Sequence, residues 1–297
     1  MVKDILVVPD VHGRSFWKDD VAKALESGSR YDLVVFTGDY LDPYPHEGIE
    51  FNDAWNNFQE ILETKRQHYD KIILLLGNHD IHYFVGDNDS RGSRYDYEHA
   101  PVIRKAFLDN IKLFDMYYEE MQEDVYPLLI FSHAGIHPRW VVNADLAGQE
   151  VQNERTAFVK YIKSGAINNM LHSCEGREPG TFIESVGEKL FDGLMHLSSY
   201  RTSFWAAHTV GSMIWSDIRE WADPRFKGIF ENVVQIFGHT QLKNPCCIGG
   251  RGEDGRVYGV YDLDARKCFR VDRATGAVCD MDGTPVMPMS KKVAGKI

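Results

Sequence analysis

With 297 residues and 43% apolar side chains, the chain has ample material for a buried core and is not a disordered one. Its 44 acidic against 33 basic residues leave a formal charge of −11, which counts against a surface for extended nucleic acid or anionic membrane, since both are gripped through Lys and Arg. No stretch is apolar for the length of a membrane span, no signal peptide precedes the first strand, and the five cysteines lack C-x-x-C spacing, so a cytoplasmic protein with reduced thiols is expected.

In chain order, residues 5–8 read as a strand running into Asp10 and His12. Residues 19–27 can form a short helix closed by Gly28. A second strand, 33–36, leads to Gly38-Asp39. Residues 51–69 carry Phe51, Trp55, Phe58, Ile61 and Leu62 at helical spacing, with a polar opposite face. A third strand, 72–76, leads to Gly77-Asn78-His79-Asp80. This β-α-β-α-β order is the alternation of a layered α/β fold. Residues 86–94 form a loop beyond the third strand, and Arg91, Arg94 and Lys105 give a local basic cluster on an otherwise acidic chain. Residues 128–131 precede Ser132-His133-Ala134-Gly135. Residues 149–197 read as helical, interrupted at 175–180, and form an insertion or cap beside the site. Residues 233–237 precede Gly238-His239-Thr240. Short β pieces at 257–263 and 267–271 suit the edge of a second sheet. Gly249-Gly250-Arg251-Gly252 has no helix after it and reads as a hairpin turn.

Each of five apolar runs thus ends within a few residues of an Asp, Asn or His. Strands buried on both faces look like these runs. In open α/β sheets their carboxyl ends line the binding crevice. One such coincidence is an ordinary turn residue; five together predict a metal site. Asp10 and His12, one residue apart, can both reach one metal if the turn after the strand splays them.

The blocks Asp10-Val11-His12-Gly13, Gly38-Asp39-Tyr40-Leu41-Asp42, Gly77-Asn78-His79-Asp80, Ser132-His133-Ala134-Gly135 and Gly238-His239-Thr240 resemble the signature of the calcineurin-like metallophosphoesterases. Ile214-Trp215-Ser216-Asp217 resembles a block of the serine/threonine phosphatases. The tracts around His82 and His137 look more like the diadenosine tetraphosphatases of the same phosphoprotein-phosphatase branch. The resemblance implies a layered α-β-β-α sandwich of two mixed sheets flanked by helices. It implies one domain over residues 1–297, with the helical insertion at 149–197.

It further implies that Asp39 bridges two divalent metals, with Asp10 and His12 on the first and Asn78, His133 and His239 on the second. Oxygen and imidazole donors without thiolate favour Mn, Fe or Zn, and Mn is the metal expected to support activity in vitro. A hydroxide shared by the metals would attack phosphorus directly. His79 would protonate the leaving alkoxide, and Asp42 takes the family position that orients it, raising its pKa and fixing its tautomer. Two positions depart from the branch. Pro43 stands where an arginine grips phosphate, so Arg14 is the leading substitute, ahead of Arg139, Arg201 and Arg219. Gln241 stands where many relatives place a further histidine, which agrees with the branch. The expected activity is a phosphomonoesterase of serine/threonine protein phosphatase type, acting on a phosphorylated protein or small phosphorylated substrate. The alternatives are a dinucleoside polyphosphate or nucleotide hydrolase and a catalytically silent binding module.

Overall fold

The structure, a computed structural model, describes residues 3–84, 93–120, 128–143, 154–176, 193–195, 210–225, 232–251 and 257–289. The five apolar runs become β1 (Asp4–Val8), β2 (Tyr31–Phe36), β3 (Ile72–Leu75), β6 (Leu128–Ser132) and β7 (Val233–Phe237). Between them lie β4 (Phe114–Asp115) and β5 (Tyr117–Glu120), and after them β8 (Cys246–Arg251), β9 (Val257–Asp262), β10 (Phe269–Val271) and β11 (Val278–Asp280). They form two mixed sheets, ordered β11-β10-β1-β2-β3-β4 and β5-β6-β7-β9-β8. In the first, β1 to β4 run parallel; in the second, β6, β7 and β9 do.

Alternation along the strands builds the layers, because successive side chains point to opposite faces. Ile5, Val7, Leu33, Val35 and Leu75 meet Leu129, Phe131, Val234 and Ile236 of the second sheet. Their neighbours Leu6, Val8, Val34, Phe36 and Leu74 face outward onto α1 (Lys18–Leu25), α2 (Phe51–Gln67) and α4 (Ala100–Asp109), while the short α3 (Asn78–Ile81) and α5 (Pro138–Asn143) follow β3 and β6. The outer face of the second sheet is covered around Phe237 and Val260 by Trp221 of α8 (Arg219–Ala222). The result is the expected α-β-β-α sandwich. The sheets lie face to face with β1, β2, β3, β6 and β7 delivering their carboxyl ends to one rim.

Two local readings are corrected. β9 is not an edge strand but lies between β7 and β8, and β10 belongs to the first sheet, antiparallel to β1. Tyr261, Leu263, Phe269 and Val271 all point into the core between the sheets, so their local pattern is the same whichever sheet they join. Gly249, Gly250 and Arg251 lie within β8, opposite Gly259, Tyr258 and Val257, instead of turning. Of the helical insertion, the structure describes α6 (Glu154–Ser164), α7 (Ala166–His172) and the short stretch 173–176; the helix expected over 182–197 lies almost wholly outside the described residues. The described helices pack on the β4–β5 corner. The Tyr117 hydroxyl donates to the Ile162 carbonyl at 2.6 Å, and the Asn168 side chain pairs with Met116 N and Tyr117 O. All five cysteines are free, and no helix among the described residues is long and apolar enough to cross a membrane.

Candidate metal centre

The turns that follow the strands are held by backbone hydrogen bonds continuing past the sheet. His12 N and Gly13 N donate to the carbonyls of Asp39 and Tyr40, locking the first two turns together. His12, Asp39, Asp42 and His239 all take φ between 45° and 71°, a conformation that costs about 1–3 kcal/mol each for a residue with a side chain. The bends turn the side chains off the strand direction and into one cluster. Two glycines make room for it. A Cβ at Gly77 would sit 2.1 Å from Asp39 Oδ1, and one at Gly238 would sit 2.0 Å from Asp10 Oδ1.

All six expected metal ligands converge there, each at most 9% exposed. His133 Nε2 lies 2.9 Å from Asn78 Oδ1, 3.0 Å from His239 Nδ1 and 3.6 Å from Asp39 Oδ1. His12 Nε2 lies 3.4 Å from Asp39 Oδ2. Asp10 joins the sheets: its Oδ2 accepts from His239 N at 3.0 Å, and its Oδ1 accepts from the Thr37 hydroxyl.

The donor chemistry fits two cations. His133 Nδ1 is 2.9 Å from the Thr37 carbonyl and His12 Nδ1 is 2.9 Å from the Leu41 carbonyl, so each Nδ1 carries the hydrogen and each Nε2 presents a lone pair. Those lone pairs face carboxylate and amide oxygens, which are also acceptors. Acceptors aimed at one another repel, and a cation among them converts the repulsion into coordination. Burial, with Asp264 adding to it, drives the Asp10 carboxyl well up, and burial drives Asp39 up to about 8. Burial likewise holds His12 well below the usual imidazole range. Two carboxyl groups this far from water are stabilised as anions only by a nearby positive charge. Asp39 stands between the groups Asp10–His12 and His133–His239, as a bridging ligand must.

His79 and Asp42 lie beside this cluster. His79 Nδ1 is 2.9 Å from Asp42 Oδ2, and His79 N donates to Asp39 Oδ1. Asp42 holds the ring by Nδ1 and pulls its pKa up, the direction expected of a carboxylate partner, but burial outweighs that pull. His79 is taken down to about 4. Burial alone would raise Asp42, yet His79 and His82 beside it bring it below its ordinary value.

Arg14 sits on the turn after His12, with Nε 2.9 Å from Glu47 Oε2 and Nη1 3.3 Å from the Asp10 carbonyl. The other arginines are placed elsewhere: Arg139 reaches the Arg225 carbonyl and Glu154, Arg219 forks onto Asp217, and Arg201 lies outside the described residues. The Trp215-Ser216-Asp217 block braces the rim, with the Ser216 hydroxyl on the Ala134 carbonyl and the Trp215 ring edge-on to His239.

A family model described as calcineurin-like phosphoesterase matches residues 3–168, more than half of the chain. The chain belongs to the calcineurin-like phosphoesterase family. It is a metal-dependent phosphoric ester hydrolase of that family. Its fold is similar to a cold-active protein-tyrosine phosphatase of the psychrophile Shewanella sp., at 16% identity and TM-score 0.52 over 96% of this chain and 80% of that one. A second structure of a cold-active protein tyrosine phosphatase gives 15% identity and TM-score 0.50 over 96% and 78%. No curated protein sequence matches the chain.

Sequence reasoning left several residues of this phosphoesterase without a defined role. Asp80 accepts from Gly77 N and Asp39 N at 2.8 Å and from Tyr40 N at 3.1 Å, joining the β2 and β3 turns. The signal that marks it is an acidic residue in the first turn of a helix, where its side chain can accept from the unpaired backbone N–H groups. His82 Nε2 lies 2.8 Å from Asp42 Oδ2, and the Tyr83 hydroxyl donates to Asp42 Oδ1. Tyr44 and Arg94 also enter the site, Arg94 from the local basic cluster and Tyr44 from a loop without periodicity to mark it.

Proposed function

We propose that this phosphoesterase is a dinuclear phosphomonoesterase of protein phosphatase type, taking a phosphorylated side chain of a protein as substrate. One observation carries the reading: a buried His79–Asp42 pair stands against a converging set of Asp10, His12, Asp39, Asn78, His133 and His239. This geometry supports reading His79 as a proton donor, Asp42 as its orienting carboxylate and the set as ligands for two metals. When bound, two divalent cations supply charge neutralisation at phosphorus and lower the pKa of water so that it is nucleophilic at neutral pH. In this reading His79 is protonated at Nε2 in the substrate complex and gives that proton to the departing alkoxide, while Asp42 holds the ring by Nδ1. Arg14 is one candidate to grip the phosphate, since its Nη2 is buried without a partner, although Glu47 offsets its charge.

The two structurally similar proteins, both tyrosine phosphatases, and the tryptophan-serine-aspartate block support a protein substrate. The test is a panel of phosphoserine, phosphothreonine and phosphotyrosine peptides, mononucleotides, a dinucleoside polyphosphate and a phosphodiester. Each is assayed after chelation and again with added Mn. Mn-dependent release of phosphate from the peptides, at the highest kcat/KM of the panel, is expected. Preference for the dinucleoside polyphosphate would replace this reading with the nucleotide hydrolase, and turnover of nothing would favour the silent module.

A further inference from the structure

We infer that Arg94, supplied by the segment after the third ligand turn, is the residue that holds the non-reacting phosphoryl oxygens of the substrate. The inference rests on the phosphatase reading and names a substrate-binding residue within it. Three guanidinium groups surround the Tyr44 ring: Arg94 at 3.6 Å from its centre, Arg14 at 5.3 Å and Arg266 at 5.9 Å. Glu47 divides its carboxylate between two of them, with Oε2 on Arg14 and Oε1 on Arg266, each at 2.9 Å. Arg94 forms no ion pair among the described residues, and its Nη1 is buried with no hydrogen-bond acceptor. Its charge is therefore unspent where the charge of its neighbours is not.

Its direction is equally informative. Nη2 lies 2.9 Å from His79 Nε2 and 3.5 Å from His12 Nε2, so the fork points at the space between the proton donor and the first-metal ligands. Arg14 and Arg266 instead line an adjoining cleft of about 690 Å³ with Gly13, Lys18 and Asp53.

The placement of Arg94 is built by its surroundings. Its backbone is left-handed, at φ 62°. The next residue, Tyr95, is buried and stacks on Tyr83 with ring centres 4.7 Å apart, and Asp96 N donates to the Tyr83 hydroxyl. Tyr83 is the residue that also donates to Asp42. The segment carrying the arginine is thus pinned to the network that orients His79. A planar guanidinium stacked on an aromatic face, with two N–H groups left over, matches the paired oxygens of a phosphoryl group and discriminates against a neutral ligand. Once those oxygens arrive, the hydrogen bond to His79 Nε2 is exchanged for them, which leaves that nitrogen facing the leaving group.

The test compares wild type, Arg94→Ala, Arg94→Lys and Arg14→Ala, all loaded with Mn and verified for metal content and thermal stability. Inorganic phosphate binding is measured by calorimetry and by competitive inhibition of nitrophenyl phosphate hydrolysis. Arg94→Ala should weaken phosphate about ten- to a hundredfold and raise KM similarly, with metal content unchanged. Arg94→Lys should recover only part, because a point charge cannot make the fork. Unchanged phosphate affinity in Arg94→Ala, or a loss confined to Arg14→Ala, overturns the inference while wild-type turnover leaves the phosphatase reading standing. A wild-type protein that neither binds phosphate nor hydrolyses the ester overturns both.

Discussion

The His79 imidazole donates through Nδ1 to Asp42 and receives Arg94 at Nε2, so the nitrogen that faces the leaving group holds a lone pair. Burial favours that neutral form strongly, taking the ring down to about 4. In the proposed acid role, this ring must therefore take up its proton as negative charge arrives with the substrate. His79→Asn should cut kcat by about 10²–10⁴ for an alkyl phosphate, the usual span for losing a general acid, with metal content near wild type. The loss should shrink for nitrophenyl phosphate, whose leaving group needs no proton. Asp42→Asn should follow the same pattern more mildly, since it touches His79 and His82 and no expected ligand. Loss of a metal in His79→Asn, or equal slowing of good and poor leaving groups, would remove His79 from the acid role.

At the scale of elements, the turns after β2 and β3 are one unit, because Asp80 gathers backbone N–H groups from both and Gly77 leaves space for Asp39. Gly77→Ala should expel the Asp39 carboxylate from its place, since a Cβ 2.1 Å from Oδ1 cannot be accommodated by a small shift. The expected result is loss of both metals by elemental analysis, with far-ultraviolet circular dichroism close to wild type. Two metals bound in this variant would show that Asp39 does not bridge. These strand-and-turn units were the legible part of the chain. Residues 5–8, 33–36, 72–76, 128–131 and 233–237 are apolar runs with abrupt polar ends, and burial on both faces leaves few other sequences for such strands. Other features were not legible. The sheet to which β10 belongs depends on a partner, β1, some 260 residues away, and Phe269 and Val271 are apolar in either sheet. Arg94 depends on Tyr83, Tyr44 and a left-handed bend, none of which has a period. The lowered pKa of His79 was missed because spacing shows the carboxylate partner and hides the depth of burial.

For the molecule as a whole, buried neutral histidines set the acid limit. Burial, with Arg139 nearby, holds His137 down at about 3, and it packs against the Trp221 ring. Its unfolded value is about 6.5. As pH falls below that, the unfolded chain gains a proton that the folded chain refuses until about pH 3, so stability declines across this window. The slope is about 1.4 kcal/mol per pH unit for one such group. Urea unfolding of the metal-loaded protein between pH 7 and 4 should show the decline, and His137→Gln should flatten it by about that slope. An unchanged slope would mean that His137 is charged in the folded state.

β1 sits inside its sheet with β2 on one side and β10 on the other. That second flank of β1 closes only when β10, about 260 residues later, has been made, since Val7 pairs with Phe269. During synthesis at ~5–20 residues per second, that flank of β1 waits roughly ten to fifty seconds for its partner. An unpaired apolar edge exposed for so long is a template for joining another chain. Nascent chains of this enzyme are therefore natural clients for a chaperone that shields strand edges, and a chain halted before residue 269 should aggregate where the full one stays monodisperse.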